Sequence, residues 1–135
     1  MTAASRHTFA EHFGEVEIAL EAESGADLLR EALAAFRELL GGGGESEPAC
    51  QAIELPPGTL PELLRGWLDE LLYLAEVEGF IPERATVIDF AHGGLRAIVR
   101  GVRERPRHLV KGVTLHDLVA APEGGVWRGR VVIDV

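Results

Sequence analysis

The 135-residue chain predicts a single α+β domain over residues 1–135, a two-layer sandwich with two helices on one face of a mostly antiparallel sheet, in the order β-α-β-α-β-β-β-β. Three observations carry that expectation. An early segment alternates apolar and acidic residues with period two, and two later segments place apolar residues at helical spacing behind capping residues. Four strand-like runs separated by short turns then reach the C-terminus. Hydrophobic residues make up 47% and charged residues 26%, enough apolar material for one core and too much for intrinsic disorder.

Gly14–Glu21 sets Val16, Ile18 and Leu20 on one face and Glu15, Glu17 and Glu21 on the other, the period of a half-buried strand. Ser24-Gly25-Ala26-Asp27 resembles a capping box, and Leu29, Leu33, Phe36 and Leu40 recur at helical spacing until Gly41 supplies the left-handed position beyond the end. Gly41–Gly44 is a flexible turn. It lacks the Lys-Ser/Thr pair of a phosphate-binding loop, because Glu45 and Ser46 follow. Ala49–Leu55 reads as a strand stopped by Pro56-Pro57-Gly58, with Cys50 as a small core residue. Thr59-Leu60-Pro61-Glu62 carries an N-cap residue, an early proline and the glutamate of a capping box. A stripe of Leu64, Trp67, Leu68, Leu71 and Ala75 continues from it until Gly79. The runs Ala85–Ala91, Leu95–Val102, Leu109–Val119 and Val126–Asp134 then read as a meander.

Thirteen basic against 22 acidic side chains leave a net charge of −9, which argues against general nucleic-acid binding. The charge is uneven, because residues 1–95 carry 5 basic and 18 acidic side chains whereas residues 96–135 carry 8 and 4. Arg100, Arg103, Arg105, Arg107 and Lys111 form a basic stretch suited to phosphate or an acidic partner, although a solvated loop balancing the acidic half is the plainer reading. A lone cysteine excludes an internal disulfide and a cysteine-based zinc site. Cys50 also has no basic neighbour in sequence to activate it as a nucleophile. No two histidines stand four apart as a His-x-x-x-His zinc site requires, and no Gly-x-Ser-x-Gly elbow occurs. Without a bilayer-length apolar run or a secretory leader, the expected location is the cytoplasm.

What remains is a set of oxygen and nitrogen donors at strand ends. If the first and last strands bring Glu15 and Asp134 together, two carboxylates and a main-chain carbonyl favour a hard cation such as Ca²⁺, Mg²⁺ or Mn²⁺. On pattern alone the plainer reading stands ahead: Glu15 belongs to a solvated acidic face with Glu17, and Asp134 is a polar terminus. His116 shares a strand face with Thr114 and is either structural or part of a site. Lys111 is the one lysine beside twelve arginines, so its compact ammonium is a further candidate.

Four blocks in order then resemble the archease family across nearly the whole chain. They are Glu11-His12 before the first strand, Leu63-Leu64-Arg65-Gly66-Trp67-Leu68-Asp69-Glu70-Leu71-Leu72-Tyr73-Leu74 in the second helix, Lys111-Gly112-Val113-Thr114-Leu115-His116-Asp117-Leu118, and the closing Trp127-Arg128-Gly129-Arg130-Val131-Val132-Ile133-Asp134-Val135. The resemblance implies an accessory factor, not itself a ligase, that promotes guanylylation and turnover of a GTP- and manganese-dependent RNA ligase. That ligase joins RNA at 3′-phosphate ends in tRNA splicing and RNA repair. The resemblance also implies a divalent cation held by Glu15, by Asp134 and by Val135 through a main-chain or terminal oxygen. His12, Lys111 and His116 would lie nearby to dock the ligase, and Arg100, Arg103, Arg105 and Arg107 would face RNA or nucleotide phosphates, so that RNA contact is indirect or weak. The family's first motif usually reads Glu-His-Thr-Ala-Asp; here it is Glu11-His12-Phe13-Gly14-Glu15, with the ligand one methylene longer. Two other functions fit the same residues, a chaperone-like adaptor for RNA-processing proteins and a small metal-dependent phosphoesterase using Glu15, His12, His116 and Asp134.

Overall fold

The structure is a computed structural model that describes residues 5–42, 46–108 and 110–135, with backbone alone at 91 and 115–119. Its elements run β1 (Arg6–His12), β2 (Glu15–Ala22), α1 (Gly25–Leu40), β3 (Pro48–Leu55), α2 (Leu60–Glu76), β4 (Phe80–Asp89), β5 (Leu95–Arg103), β6 (Gly112–Glu123) and β7 (Val126–Asp134). The α+β class and the antiparallel pairing hold throughout. One strand more than expected precedes the alternating segment. β1 shows no apolar alternation and is exposed along most of its length, because it is an edge strand held by the β2 ladder.

The strands divide into two sheets, β1-β2-β7-β6 and β3-β5-β4. The expected meander is therefore two hairpins, β4-β5 and β6-β7, in different sheets. Between them the amides of Arg107 and His108 donate to the Leu40 carbonyl at 2.9 and 3.1 Å, which satisfies an acceptor left open where α1 ends. Leu109 and Gly43–Glu45 lie outside the described residues.

Both helices begin as their sequences dictate. The Ser24 hydroxyl accepts from the Asp27 amide at 3.1 Å, and Thr59 and Glu62 form a reciprocal capping box. Gly41 ends α1 at φ 67°. Leu28, Leu29, Ala32, Leu33, Phe36 and Leu40 line the buried face of α1, and Leu64, Trp67, Leu68, Leu71 and Ala75 that of α2. α1 packs chiefly on β4 and β2, and α2 on β6 and β4, so each helix touches both sheets instead of covering one face of a single sheet. One continuous cluster results, joined from the first sheet by Ile18, Leu20, Val131 and Ile133. Each such large aliphatic side chain contributes roughly 1.5–3 kcal/mol by leaving water. Trp67 lies at its centre, and its ring N–H donates to the Leu29 carbonyl at 2.9 Å, tying one helix to the other.

Cys50 departs from expectation. It is exposed, because alternation along the edge strand β3 turns Cys50, Ala52 and Glu54 outward and Ile53 inward. In the neighbouring β5, Gly101 has no room for a side chain: a Cβ there would stand 2.0 Å from the Ile81 carbonyl oxygen. Among the described residues, no helix is long and apolar enough to cross a membrane.

Candidate functional site

The β1–β2 turn and the C-terminal end of β7 meet at one end of the four-stranded sheet. Glu15 opens β2 and pairs in register with Asp134 at the end of β7, while His12 pairs with Glu15 and Gly112 with Asp134. A single row therefore crosses the sheet as His12, Glu15, Asp134, Gly112. Directly opposed residues share a face and hold their Cβ atoms about 4.5–5.5 Å apart. The backbone closes around this row, with the Lys111 amide donating to the Asp134 carbonyl at 2.7 Å and the Val135 amide to the Gly14 carbonyl at 3.0 Å.

Local sequence explains the arrangement. Phe13-Gly14 forms a two-residue turn between β1 and β2, and Gly14 takes φ 74° at its second position, where a side chain would be strained. Gly112 adds no side chain beside Asp134, and nothing lies within 4 Å of the position a Cβ would occupy. Glu15 is exposed and Asp134 half-buried. Neither carboxylate has a side-chain hydrogen bond or ion pair among the described residues. Further along the same face every glutamate of β2 is neutralised: Glu17 by Arg130 at 3.7 Å, and Glu21 by Arg6 at 2.6 Å and by Arg128. Those arginines hold the Glu21 carboxyl below its usual range, the hydrogen bond from Arg6 being the larger cause. Two opposed carboxylates without such a partner repel each other, and a cation between them removes that cost.

Of the residues singled out in sequence, Glu15, Asp134, Val135, His12 and Lys111 come together in this corner. His116 lies in β6 between Thr114 and Val119, where the pairing with β7 slips register, and its side chain lies outside the described residues. The basic stretch does not form one surface. Arg103 approaches Glu47 at 3.9 Å. Arg105 and Arg107 line a cleft with Glu76 and His108. Arg100 points into a separate cleft that it shares with Arg37 and Arg84.

Phe13, which enters the sequence only as part of the departing first motif, stands fully exposed at the hairpin tip, at 108% of its reference area. Its signal was available as an aromatic residue before a turn glycine, but only the presence of β1 reveals the turn. Among the described residues, no group of three or more His, Cys, Asp or Glu side chains is placed to hold a metal ion. The donor set of the corner is thus two carboxylates, with main-chain oxygen close by. That set suits a hard cation which keeps water or takes further oxygens from a partner, not an all-protein cage.

Residues 7–135 match the Archease protein family (MTH1598/TM1083). The chain belongs to the archease family. Protein archease of Methanopyrus kandleri is 31% identical over 134 residues, covering 93% of this chain and 96% of its own length. Protein archease of Methanosarcina mazei is 24% identical over 140 residues, covering 96% of each. The fold of the archease chain resembles the solution structure of protein 1598 of Methanobacterium thermoautotrophicum, with a TM-score of 0.70 at 20% identity over 96% of this chain and 98% of that one. It also resembles the crystal structure of an archease described as a possible chaperone from Thermotoga maritima, with a TM-score of 0.69 at 21% identity over 93% and 94% of the two chains.

Proposed function

We propose that this archease is an accessory factor that uses a divalent cation at Glu15, Asp134 and Val135 to promote guanylylation and turnover of a 3′-phosphate RNA ligase in tRNA splicing or RNA repair. The observation that carries the reading is the in-register pairing of Glu15 with Asp134, two carboxylates on one sheet face with no ion pair of their own among the described residues. The Asp134 and Glu15 carboxylates would hold the ion, and Val135, whose amide is tied to the Gly14 carbonyl, would add a main-chain oxygen. The ion would supply concentrated positive charge at an exposed sheet end, where a partner's phosphate or carboxylate oxygens complete its coordination.

An activator accelerates its enzyme only by binding one state of the cycle better than the others. Phe13 offers the apolar part of that contact, and His12 and Lys111 offer polar donors beside it. His116 belongs to the same proposed docking surface. Asp134→Ala should abolish stimulation of ligase turnover while the far-ultraviolet circular dichroism and melting temperature stay those of the parent. Undiminished stimulation by that variant would remove the metal corner from the mechanism.

A second reading, a chaperone-like adaptor, is favoured by the exposed Phe13 and by the description of the Thermotoga maritima relative. It requires partner-independent suppression of aggregation that is insensitive to Asp134→Ala.

A further inference from the structure

The arginines of this chain separate into two groups. Arg6, Arg30, Arg37, Arg65, Arg96, Arg103, Arg128 and Arg130 all face a carboxylate within 4 Å. In a chain with 22 acidic and 13 basic side chains that is the arrangement to expect. Arg84, Arg100, Arg105 and Arg107 make no such pair among the described residues, and of these four Arg84 and Arg100 belong to the same sheet. They nevertheless sit opposite each other in register across the β4–β5 ladder. Like charges directly opposed destabilise a sheet, so an anion bound between them would offset a cost that the fold otherwise bears.

Both arginines line a cleft of about 460 Å³, and Arg37 of α1 lines the same cleft. Glu83 holds Arg37 in place through its Nη2 at 3.2 Å, leaving further N–H donors of that side chain for a ligand. The remaining wall is formed by Pro48, Ala49 and Gly101, of which Ala49 and Gly101 pair in register. Three guanidinium groups against one carboxylate leave a local charge of 3 − 1 = +2 on a protein whose net charge is −9.

We propose that this cleft is a binding site for a phosphate monoester dianion, gripped by Arg37, Arg84 and Arg100. The forked donors of arginine match phosphate oxygens two at a time, and the excess of two positive charges matches a dianion and not a monoanionic carboxylate. The ligand is free phosphate, the phosphate of a nucleotide, or the terminal phosphate of an RNA strand, all of which present the same group. The site lies on the three-stranded sheet and does not depend on the cation proposed for the other sheet. Its failure would leave the Asp134 test standing, and the reverse.

The test is titration of the full chain with inorganic phosphate, followed by amide chemical shifts and calorimetry, with acetate as a monoanionic control. Shifts should cluster at Ala49, Arg84 and Gly101, and affinity should rise with pH through the second ionisation of the phosphate. Arg84→Gln and Arg100→Gln should each weaken binding about tenfold or more. Arg96→Gln, which removes the same charge from the same sheet, should leave binding within about twofold. Arg100→Lys, keeping the charge but losing the fork, should fall between. Both arginines are exposed, so these variants should melt with the parent. A nucleoside 5′-monophosphate, and a short RNA with and without a terminal monophosphate, identify the source. Three results would overturn the proposal: acetate binding as tightly as phosphate, Arg96→Gln weakening binding as much as Arg84→Gln, or the RNA binding equally without its terminal phosphate.

Discussion

Trp67 shows what one side chain contributes here. It is fully buried and donates to the Leu29 carbonyl of the other helix, so Trp67→Phe removes both ring volume and the hydrogen bond across the helix pair. The expected loss is about 1–3 kcal/mol of unfolding free energy, read from urea denaturation with an unchanged slope. Glu62 works differently. The Thr59 amide, and then the Thr59 hydroxyl, hold its carboxyl below the ordinary value of 4.5. The stability Glu62 adds is therefore complete above that ordinary value and disappears as pH falls through its lower folded value. Glu62→Gln should flatten this part of the acid limb, so stability measured from pH 6 down to pH 3 should decline less steeply than in the parent. Both residues were legible in sequence because helix periodicity and capping chemistry are local. Cys50 was not, because apolar character gives no information on which side of a two-sided strand a residue faces.

At the scale of elements, the β1-β2 hairpin is the instructive case. β2 was legible from Val16, Ile18 and Leu20, whose alternation records one face in the core. β1 was invisible for the opposite reason: Arg6, Thr8, Ala10 and His12 face away from the core, and His7 is engaged by Glu31 and Glu38 of α1 and by the edge of Phe9. A strand stabilised by a ladder and by ion pairs leaves no periodic trace. The same hairpin presents Phe13 to solvent without packing it on anything. Phe13→Ala should therefore leave the melting temperature within about a degree of the parent, since surface changes away from special features are typically worth less than ~0.5 kcal/mol. It should nonetheless reduce stimulation of the ligase severalfold, as measured by turnover at fixed ligase concentration. Equal stimulation by both proteins would exclude the hairpin tip from the contact.

Over the whole molecule, the corner at Glu15 and Asp134 was legible only as a possibility, because nothing in strand periodicity states which strands are neighbours. Family resemblance pointed to the pair, and the β2–β7 register places the two residues opposite each other. The division into two sheets was not legible. β5 and β6 are joined by a short connection resembling that of a hairpin, and the connection is instead tied down by Glu104 on the Gly79 carbonyl and by Arg107 and His108 on the end of α1. If the corner holds a cation, Ca²⁺ or Mn²⁺ should raise the melting temperature of the parent by an amount that grows with concentration. At a hundredfold excess over the dissociation constant the gain is about 2.7 kcal/mol. Glu15→Gln and Asp134→Ala should show no such rise in the same calorimetric series.

The β2–β7 ladder also dictates when the fold can form. Glu15 and Asp134 are 134 − 15 = 119 positions apart, yet their strands are adjacent, and β7 separates β2 from β6. Contacts that distant in sequence close slowly. On the ribosome, β1 and β2 cannot join β6 in the four-stranded sheet until β7 has left the exit tunnel, so the proposed cation corner cannot form before then.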